Sequence, residues 1–189
     1  MDYTHIPTHA LLERIIGKYA TAKHYRGALR ALFDAGKETT AAEVAPLLVA
    51  RELVSRWLSE ELGGHDALSS PAIVKEYLAL HFAGQGHESF VVLFLDAQNR
   101  LIVGEELFRG TLSQTAVYPR EVVKRALSWN AAAVMLAHNH PSGVAEPSKA
   151  DELLTQALRE ALSLVDVKVL DHFVVAGSQS TSFAERGLL

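Results

Sequence analysis

The chain has 189 residues, of which 49% are hydrophobic, and its formal net charge at pH 7 is −4. This composition excludes an intrinsically disordered chain, and the charge is not that of a strongly basic nucleic-acid-binding protein, although a local basic patch stays possible. The sequence contains no cysteine, which excludes disulfides, thiolate metal sites and a cysteine nucleophile.

The first third of the sequence is predicted to be helical, because its apolar residues recur at helical spacing. Three apolar runs show this spacing: Leu11, Leu12, Ile15 and Ile16; then Leu29, Leu32 and Phe33; then Val44, Leu47, Leu48, Leu53, Val54 and Leu58. Pro46 falls in the first turns of the third run, where a helix tolerates proline best. These runs predict a small helical region at the N-terminus.

A change of composition separates this helical region from the rest of the chain. Gly63-Gly64 and Ser69-Ser70-Pro71 are typical of turns, and they predict a linker at about residues 63–70. We therefore expect a helical N-terminal region at residues 1–66 and a second domain at residues 71–189. The first residues lack the pattern of a signal peptide, and no stretch approaches the roughly 20 apolar residues of a membrane span, so a soluble cytoplasmic protein is expected.

The second domain shows interleaved helix and strand signals. In chain order they are a helix from Ser70-Pro71, a hairpin of Phe90–Leu95 and Leu101–Val103, a strand and loop over Glu105–Val117, a helix from Pro119, a buried strand Ala131–Ala137, a loop His138–Pro147, a helix from Ser148, and strands at Val165–Val169 and Phe173–Val175. Ser70 is a good cap and Pro71 suits a first helical turn. This order predicts an α/β sandwich with a mixed sheet.

Two histidines follow the predicted buried strand, and an aspartate opens the next helix. If the chain stays extended between His138 and His140, both side chains point to the same side. Asp151 lies at the third position of the helix, where it can face back over the strand end. Two histidines and one carboxylate leave a fourth tetrahedral position free, which is the pattern of a catalytic zinc site rather than a structural one.

Each part of this pattern also has a structural explanation. Ser148-x-x-Asp151 is a variant of the helix capping box, Pro141 and Gly143 need only form a turn, and Asn139 would point away from a metal in an extended segment. Taken alone, the serine and aspartate favour capping. The combination with the histidine pair favours a metal site, and capping by Ser148 is compatible with it.

The same residues carry a family resemblance. His138-Asn-His140-Pro141 followed by Ser148-x-x-Asp151 resembles the JAMM motif of JAB/MPN-domain metalloproteases. The longer strings HNHPSG, EPSKAD, VLDHFVV and SFAERG are similar to those of bacterial RadC-type proteins, over residues 71–189. The resemblance implies a mixed-sheet α/β sandwich of JAB/MPN type, which is deaminase-like, with the helical region preceding it.

The resemblance also implies roles for individual residues. His138, His140 and Asp151 would hold one Zn²⁺ per chain, with another divalent metal possible. Glu88 matches the position of the family's upstream glutamate and would act as general base, and Ser148 would steady an oxyanion. From the sequence alone, a solvated loop carboxylate is the favoured interpretation of Glu88, and two further glutamates compete for the same role, namely Glu105 and Glu106.

A weaker polar pair, Asp171 and His172, lies in a later strand. In RadC-like proteins this pair lies near the site, where it would support a metal-bound histidine, since such histidines usually donate their second N–H to a partner. The alternative is a polar pair at a strand edge. The two interpretations stay open at the level of the sequence.

The resemblance implies hydrolysis of a peptide or isopeptide bond, with such a molecule as the partner of the site. One alternative is a metal-dependent enzyme or accessory protein acting on nucleic acid in DNA repair or recombination, which the charge does not support. The glycine-centred hairpin that RadC-like proteins often use for DNA backbones has no counterpart in Ala41–Leu62, which contains no glycine. A second alternative is a non-catalytic MPN-type binding module, against which the intact ligand set argues.

Overall fold

The chain divides into two compact units, Met1–Arg56 and Trp57–Leu189. A computed structural model describes residues 6–27, 42–110 and 117–189. The division lies inside helix α2 (Ala45–Gly64), earlier than the predicted linker at residues 63–70. The cause is burial, because Leu58 and Leu62 belong to the hydrophobic core of the second unit.

The first unit contains helix α1 (Thr8–His24) and the beginning of α2. Helix α1 is interrupted at Gly17, whose φ of 82° is not helical. A small apolar cluster stabilises this unit, and its buried members are Leu12, Val44 and Leu47. The predicted apolar run from Leu29 to Phe33 lies outside the described residues.

The second unit is built on a five-stranded sheet. Its elements are a 3₁₀ helix (Ala67–Ser69), α3 (Pro71–Phe82), β1 (Ser89–Leu95), β2 (Leu101–Arg109), α4 (Pro119–Ser128), β3 (Ala133–Asn139), α5 (Lys149–Ser163), β4 (Lys168–Ala176), β5 (Gln179–Ser182) and α6 (Phe183–Arg186). The strand order is β2-β1-β3-β4-β5. Among these described strands, the pair β3 and β4, which α5 connects, is parallel, and the other three pairs are antiparallel. The predicted mixed-sheet α/β fold is confirmed.

Some element boundaries differ from those predicted. Strand β3 continues to Asn139, so His138 lies in the strand and not in the loop after it. Ser70 precedes α3 without a capping hydrogen bond from its side chain, although Pro71 occupies the first turn as predicted. Strand β4 begins at Lys168, later than predicted, because the chain turns at Asp166, whose φ is 60°.

Helices cover both faces of the sheet. On one face, α3 and the end of α2 pack on the sheet around Val91, Leu93 and Met135. On the other face, α4 and α5 pack around Phe90, Val92 and other buried side chains, among them Val122, Ala126, Val134, Leu136, Leu158 and Leu162. Side chains alternate along a strand, so His138 follows Leu136 onto the face that α5 covers. Among the described residues, no helix has both the length and the apolar character that crossing a membrane requires.

Candidate metal centre

The end of β3 and the start of α5 bring three potential metal ligands together. The backbone N–H of His140 donates to the carbonyl of Val175 at 2.8 Å, which keeps the chain extended one residue beyond β3. His138 and His140 therefore project to the same side. Asp151 lies in the first turn of α5, and the nearest ligand atoms of these three residues all lie within 4.8 Å of one another.

The two imidazole rings and the carboxylate meet at short distances. His138 Nε2 lies 3.0 Å from His140 Nε2. His138 Nε2 lies 3.3 Å from Asp151 Oδ1, and His140 Nε2 lies 3.7 Å from Asp151 Oδ2. These three side chains form a group that could hold a metal ion.

Asp151 is held in its charged form. Burial acts to raise the pKa of this carboxyl, but the neighbouring His138 imidazole, together with hydrogen bonds from Ser148, outweighs burial and holds the pKa well below its usual range. The Ser148 backbone N–H and hydroxyl each donate to Asp151 Oδ2 at 2.7 Å. An ionised carboxylate is the form that binds a metal.

The proton of His140 is fixed by a backbone carbonyl. Its Nδ1 lies 2.9 Å from the carbonyl oxygen of Val144. A carbonyl can only accept a hydrogen bond, so this contact places the ring proton on Nδ1. In the neutral ring, Nε2 then carries a lone pair directed towards His138 and Asp151.

His172 and Asp171 have separate roles in the structure. His172 is 0% exposed, and its Nε2 lies 2.9 Å from His138 Nδ1. Burial, followed by the neighbouring His138, lowers the pKa of His172 well below its usual value. Asp171 instead accepts hydrogen bonds from the Ser182 hydroxyl at 2.6 Å and the Ala184 N–H at 3.0 Å. Burial raises the pKa of Asp171, which those hydrogen bonds oppose.

Glu88 lies immediately before β1, at the same end of the sheet as the histidines. The register of β1 and β3 pairs Phe90 with His138. Continuing that register beyond the start of β1 brings Glu88 level with His140. Within the described part of the chain, the group of ligand atoms consists of the two histidines and Asp151 and does not include Glu88. Its role as general base stays a prediction.

The two competing glutamates are engaged with cations. Glu105 accepts hydrogen bonds from Arg125 Nε at 2.7 Å and from Trp129 Nε1 at 3.0 Å, and the hydrogen bond from Arg125 lowers its pKa. Glu106 forms an ion pair with Arg109 at 2.8 Å. The lowered pKa makes Glu105 a weaker proton acceptor, and the Glu106 side chain is engaged by Arg109, so this arrangement favours Glu88 over both.

Ser148 caps α5, as its spacing to Asp151 predicts. Its hydroxyl donates to Asp151 Oδ2 and accepts the Asp151 backbone N–H at 3.2 Å, which completes a capping box. In this conformation the serine orients a proposed ligand. Stabilisation of an oxyanion by Ser148 stays a prediction.

The contacts of two residues at the site, Thr155 and Asn139, were not predicted from the sequence. Thr155 is 2% exposed, and its hydroxyl oxygen lies 2.6 Å from both the Asp151 carbonyl oxygen and His172 Nδ1. Asn139 accepts the Ser89 N–H at 2.7 Å and donates to the His87 carbonyl at 2.9 Å. A signal existed for Thr155 alone, as a polar residue in the apolar stripe of α5 one turn after Asp151.

Comparison with known proteins identifies the family. The family model described as "RadC-like JAB domain" matches residues 68–188, well over half of the chain. The chain belongs to the RadC-like JAB domain family. The sequence resemblance to RadC-type proteins is thereby confirmed.

The RadC-like relatives extend this match at high identity. A UPF0758 protein of Dechloromonas aromatica is 62% identical over 149 residues, which cover 78% of this chain and 66% of the relative. A UPF0758 protein of Nitrosomonas eutropha is 61% identical over 148 residues, which again cover 78% of this chain and 66% of the relative. A UPF0758 protein of Methylibium petroleiphilum is 57% identical over 183 residues, covering 95% of this chain and 79% of that protein. These names specify neither a reaction nor a metal.

Proposed function

We propose that this chain is a zinc-dependent hydrolase, resembling JAMM metalloproteases, that cleaves a peptide or isopeptide bond. The observation that carries the proposal is the convergence of His138 Nε2, His140 Nε2 and the ionised carboxylate of Asp151 within 3.0–3.7 Å. Two imidazoles and one carboxylate form a ligand set that suits zinc and leaves a fourth position open, as catalytic zinc sites do.

The chemistry of the donor set supports a cation. The Val144 carbonyl fixes the proton of His140 on Nδ1, so its Nε2 offers a lone pair to the cluster. A depressed pKa keeps the nearby Asp151 negatively charged. Electron-rich atoms this close together repel one another unless a cation or a proton lies between them, and a divalent metal ion satisfies all three at once.

The remaining residues have roles on the substrate side. When bound, zinc would polarise a carbonyl and lower the pKa of water to near neutrality. Glu88, at the same end of the sheet as His140, would accept a proton from the attacking water and pass it to the leaving amine. Ser148 keeps Asp151 oriented through its backbone N–H. Its hydroxyl, which donates to Asp151 Oδ2 in the capping box, turns towards the developing oxyanion when substrate binds.

The test separates a ligand from a base. We expect His140→Ala to lose zinc and turnover together, because only two protein ligands remain. We expect Glu88→Gln to keep zinc, since it preserves size and polarity, and to lose roughly 10²–10⁴-fold in turnover, the amount credited to general acid–base catalysis. His65→Ala is the matched control, because His65 is an exposed histidine 3.8 Å from Glu61.

The measurements are zinc content after purification without chelator, a zinc titration, and turnover of a panel of fluorogenic peptides and lysine isopeptides. Absence of stoichiometric zinc from the wild-type chain, with no rise in melting temperature on adding zinc, would refute the proposal. Loss of zinc from Glu88→Gln would make Glu88 a ligand. Full activity in that variant would place the base elsewhere.

A further inference from the structure

We infer that Thr155 and His172 form a directed hydrogen-bond chain that fixes the ring proton of His138 on Nδ1 and presents its Nε2 lone pair to Asp151 and His140. The consequence for zinc affinity rests on the proposed function, whereas the direction of these hydrogen bonds does not. Thr155 is thus a positioning residue that acts on the candidate metal centre through His172.

The hydrogen-bond chain begins at the backbone carbonyl of Asp151. The hydroxyl of Thr155 has one proton, and its oxygen lies 2.6 Å from the Asp151 carbonyl oxygen, which can only accept. The proton of Thr155 is therefore used in that hydrogen bond. The second contact of the same hydroxyl, at 2.6 Å from His172 Nδ1, then requires the ring nitrogen to donate.

The same direction of hydrogen-bond donation continues through His172 to His138. His172 is fully buried, with its ring stacked on Phe183 at 4.7 Å and edge-on to Phe90 at 5.7 Å. Its two ring nitrogens face a hydroxyl and another imidazole, an environment that disfavours a charged ring. With the proton on Nδ1, the neutral ring has a lone pair on Nε2. The contact of 2.9 Å to His138 Nδ1 is then a hydrogen bond donated by His138.

Both histidines of the cluster are therefore held in the same tautomer by different means. The Val144 carbonyl fixes His140 directly, and the Asp151 carbonyl fixes His138 through two intervening side chains. Asp151 thus contributes twice, once through its carboxylate and once through its backbone oxygen. Partners of this kind orient a ligating histidine and fix its tautomer.

Removal of the hydroxyl breaks the chain at its origin. In Thr155→Val, the buried N–H of His172 loses its acceptor, and the ring can move its proton to Nε2. That proton then points at His138 Nδ1, which favours the His138 tautomer protonated on Nε2. A protonated Nε2 has no lone pair for a metal, so zinc affinity falls.

The experiment combines two readouts on the full chain. The first is ¹⁵N NMR of histidine side chains in zinc-free protein, which reports which ring nitrogen carries the proton. The second is a zinc competition titration. For the wild type we expect Nδ1 to be protonated in both His138 and His172. For Thr155→Val we expect that pattern to be lost and zinc affinity to fall by about 10–100-fold, the usual effect of removing such a partner.

Two variants serve as controls. Thr155→Ser keeps the hydroxyl, and we expect it to retain the wild-type NMR pattern and zinc affinity within about threefold. Thr21→Val makes the same substitution at another buried threonine, whose hydroxyl has no hydrogen-bond partner in the described part of the chain. We expect neither readout to change in that control.

Several outcomes would overturn the inference. Wild-type His138 or His172 protonated on Nε2 alone would do so without any variant, and hence even if Thr155→Val failed to fold. An unchanged NMR pattern and zinc affinity in folded Thr155→Val would do so too. If the wild type binds no zinc but shows His138 and His172 protonated on Nδ1, the proposed function is wrong and the inferred hydrogen-bond chain is still supported.

Discussion

Asn139 is expected to stabilise the end of the sheet beside Glu88, where β1 begins and β3 ends. It is 4% exposed and lies between the two histidines of the candidate metal centre. Its amide accepts the Ser89 N–H at 2.7 Å and donates to the His87 carbonyl at 2.9 Å. These two hydrogen bonds hold the peptide groups on either side of Glu88 against β3.

The cost of Asn139→Ala follows from the groups that it leaves unpaired. Each buried backbone group without a partner costs about 1–3 kcal/mol. Ser89 is buried, whereas His87 is half-buried, so we expect a loss of about 1–4 kcal/mol in the free energy of unfolding. Because these two hydrogen bonds position Glu88, the proposed general base, we also expect turnover to fall more than zinc affinity does.

Urea unfolding of the zinc-free chain measures this loss. Ser89→Ala is the control, because the Ser89 hydroxyl is fully buried and makes no hydrogen bond to the residues that the structure describes. Its removal should change the free energy of unfolding by less than about 1 kcal/mol, since no partner is lost. A loss in Asn139→Ala no larger than that of the control would refute the reasoning.

Two further predictions concern the support of the fold around the site. The hydrogen bond from Arg125 lowers the pKa of Glu105. The stabilisation of the fold by this ion pair is therefore complete above the unfolded pKa of about 4.3 and disappears as pH falls. Between pH 7 and pH 3.5, urea unfolding should show a smaller loss of stability for Glu105→Gln than for the wild type, and an equal loss would contradict this. Phe183 is fully buried against His172, so Phe183→Ala should lower the free energy of unfolding by about 3–5 kcal/mol. The control Leu188→Ala, at an exposed position, should have a small effect. A loss below about 1 kcal/mol in Phe183→Ala would contradict the packing.

The sheet and the ligand group could be predicted because their signals are local. The run Ala131–Ala137 has no polar side chain, which a strand needs if both of its faces are covered, and all seven residues of β3 are buried. The side-chain period of two then places His138 and His140 on one side. Asp151 follows from the capping spacing to Ser148, since the third helical residue must face back towards the cap.

The supporting contacts could not be predicted because they join distant segments. Asn139 reaches Ser89 across 50 positions of sequence, and that contact depends on the antiparallel register of β1 and β3. Thr155 reaches His172 only because α5 packs over the parallel pair β3 and β4. Strand order and helix packing, rather than local propensity, decide these partners.

Asp151 shows why capping and metal binding need not compete. The capping box uses Oδ2, which accepts the backbone N–H and the hydroxyl of Ser148. Oδ1 lies 3.3 Å from His138 Nε2 and takes no part in the cap. A carboxylate has lone pairs on both oxygens, so the cap fixes the orientation of Asp151 through one oxygen and presents the other to the histidines. The capping box, which by itself favours a purely structural role for Asp151, thus holds this proposed ligand in place.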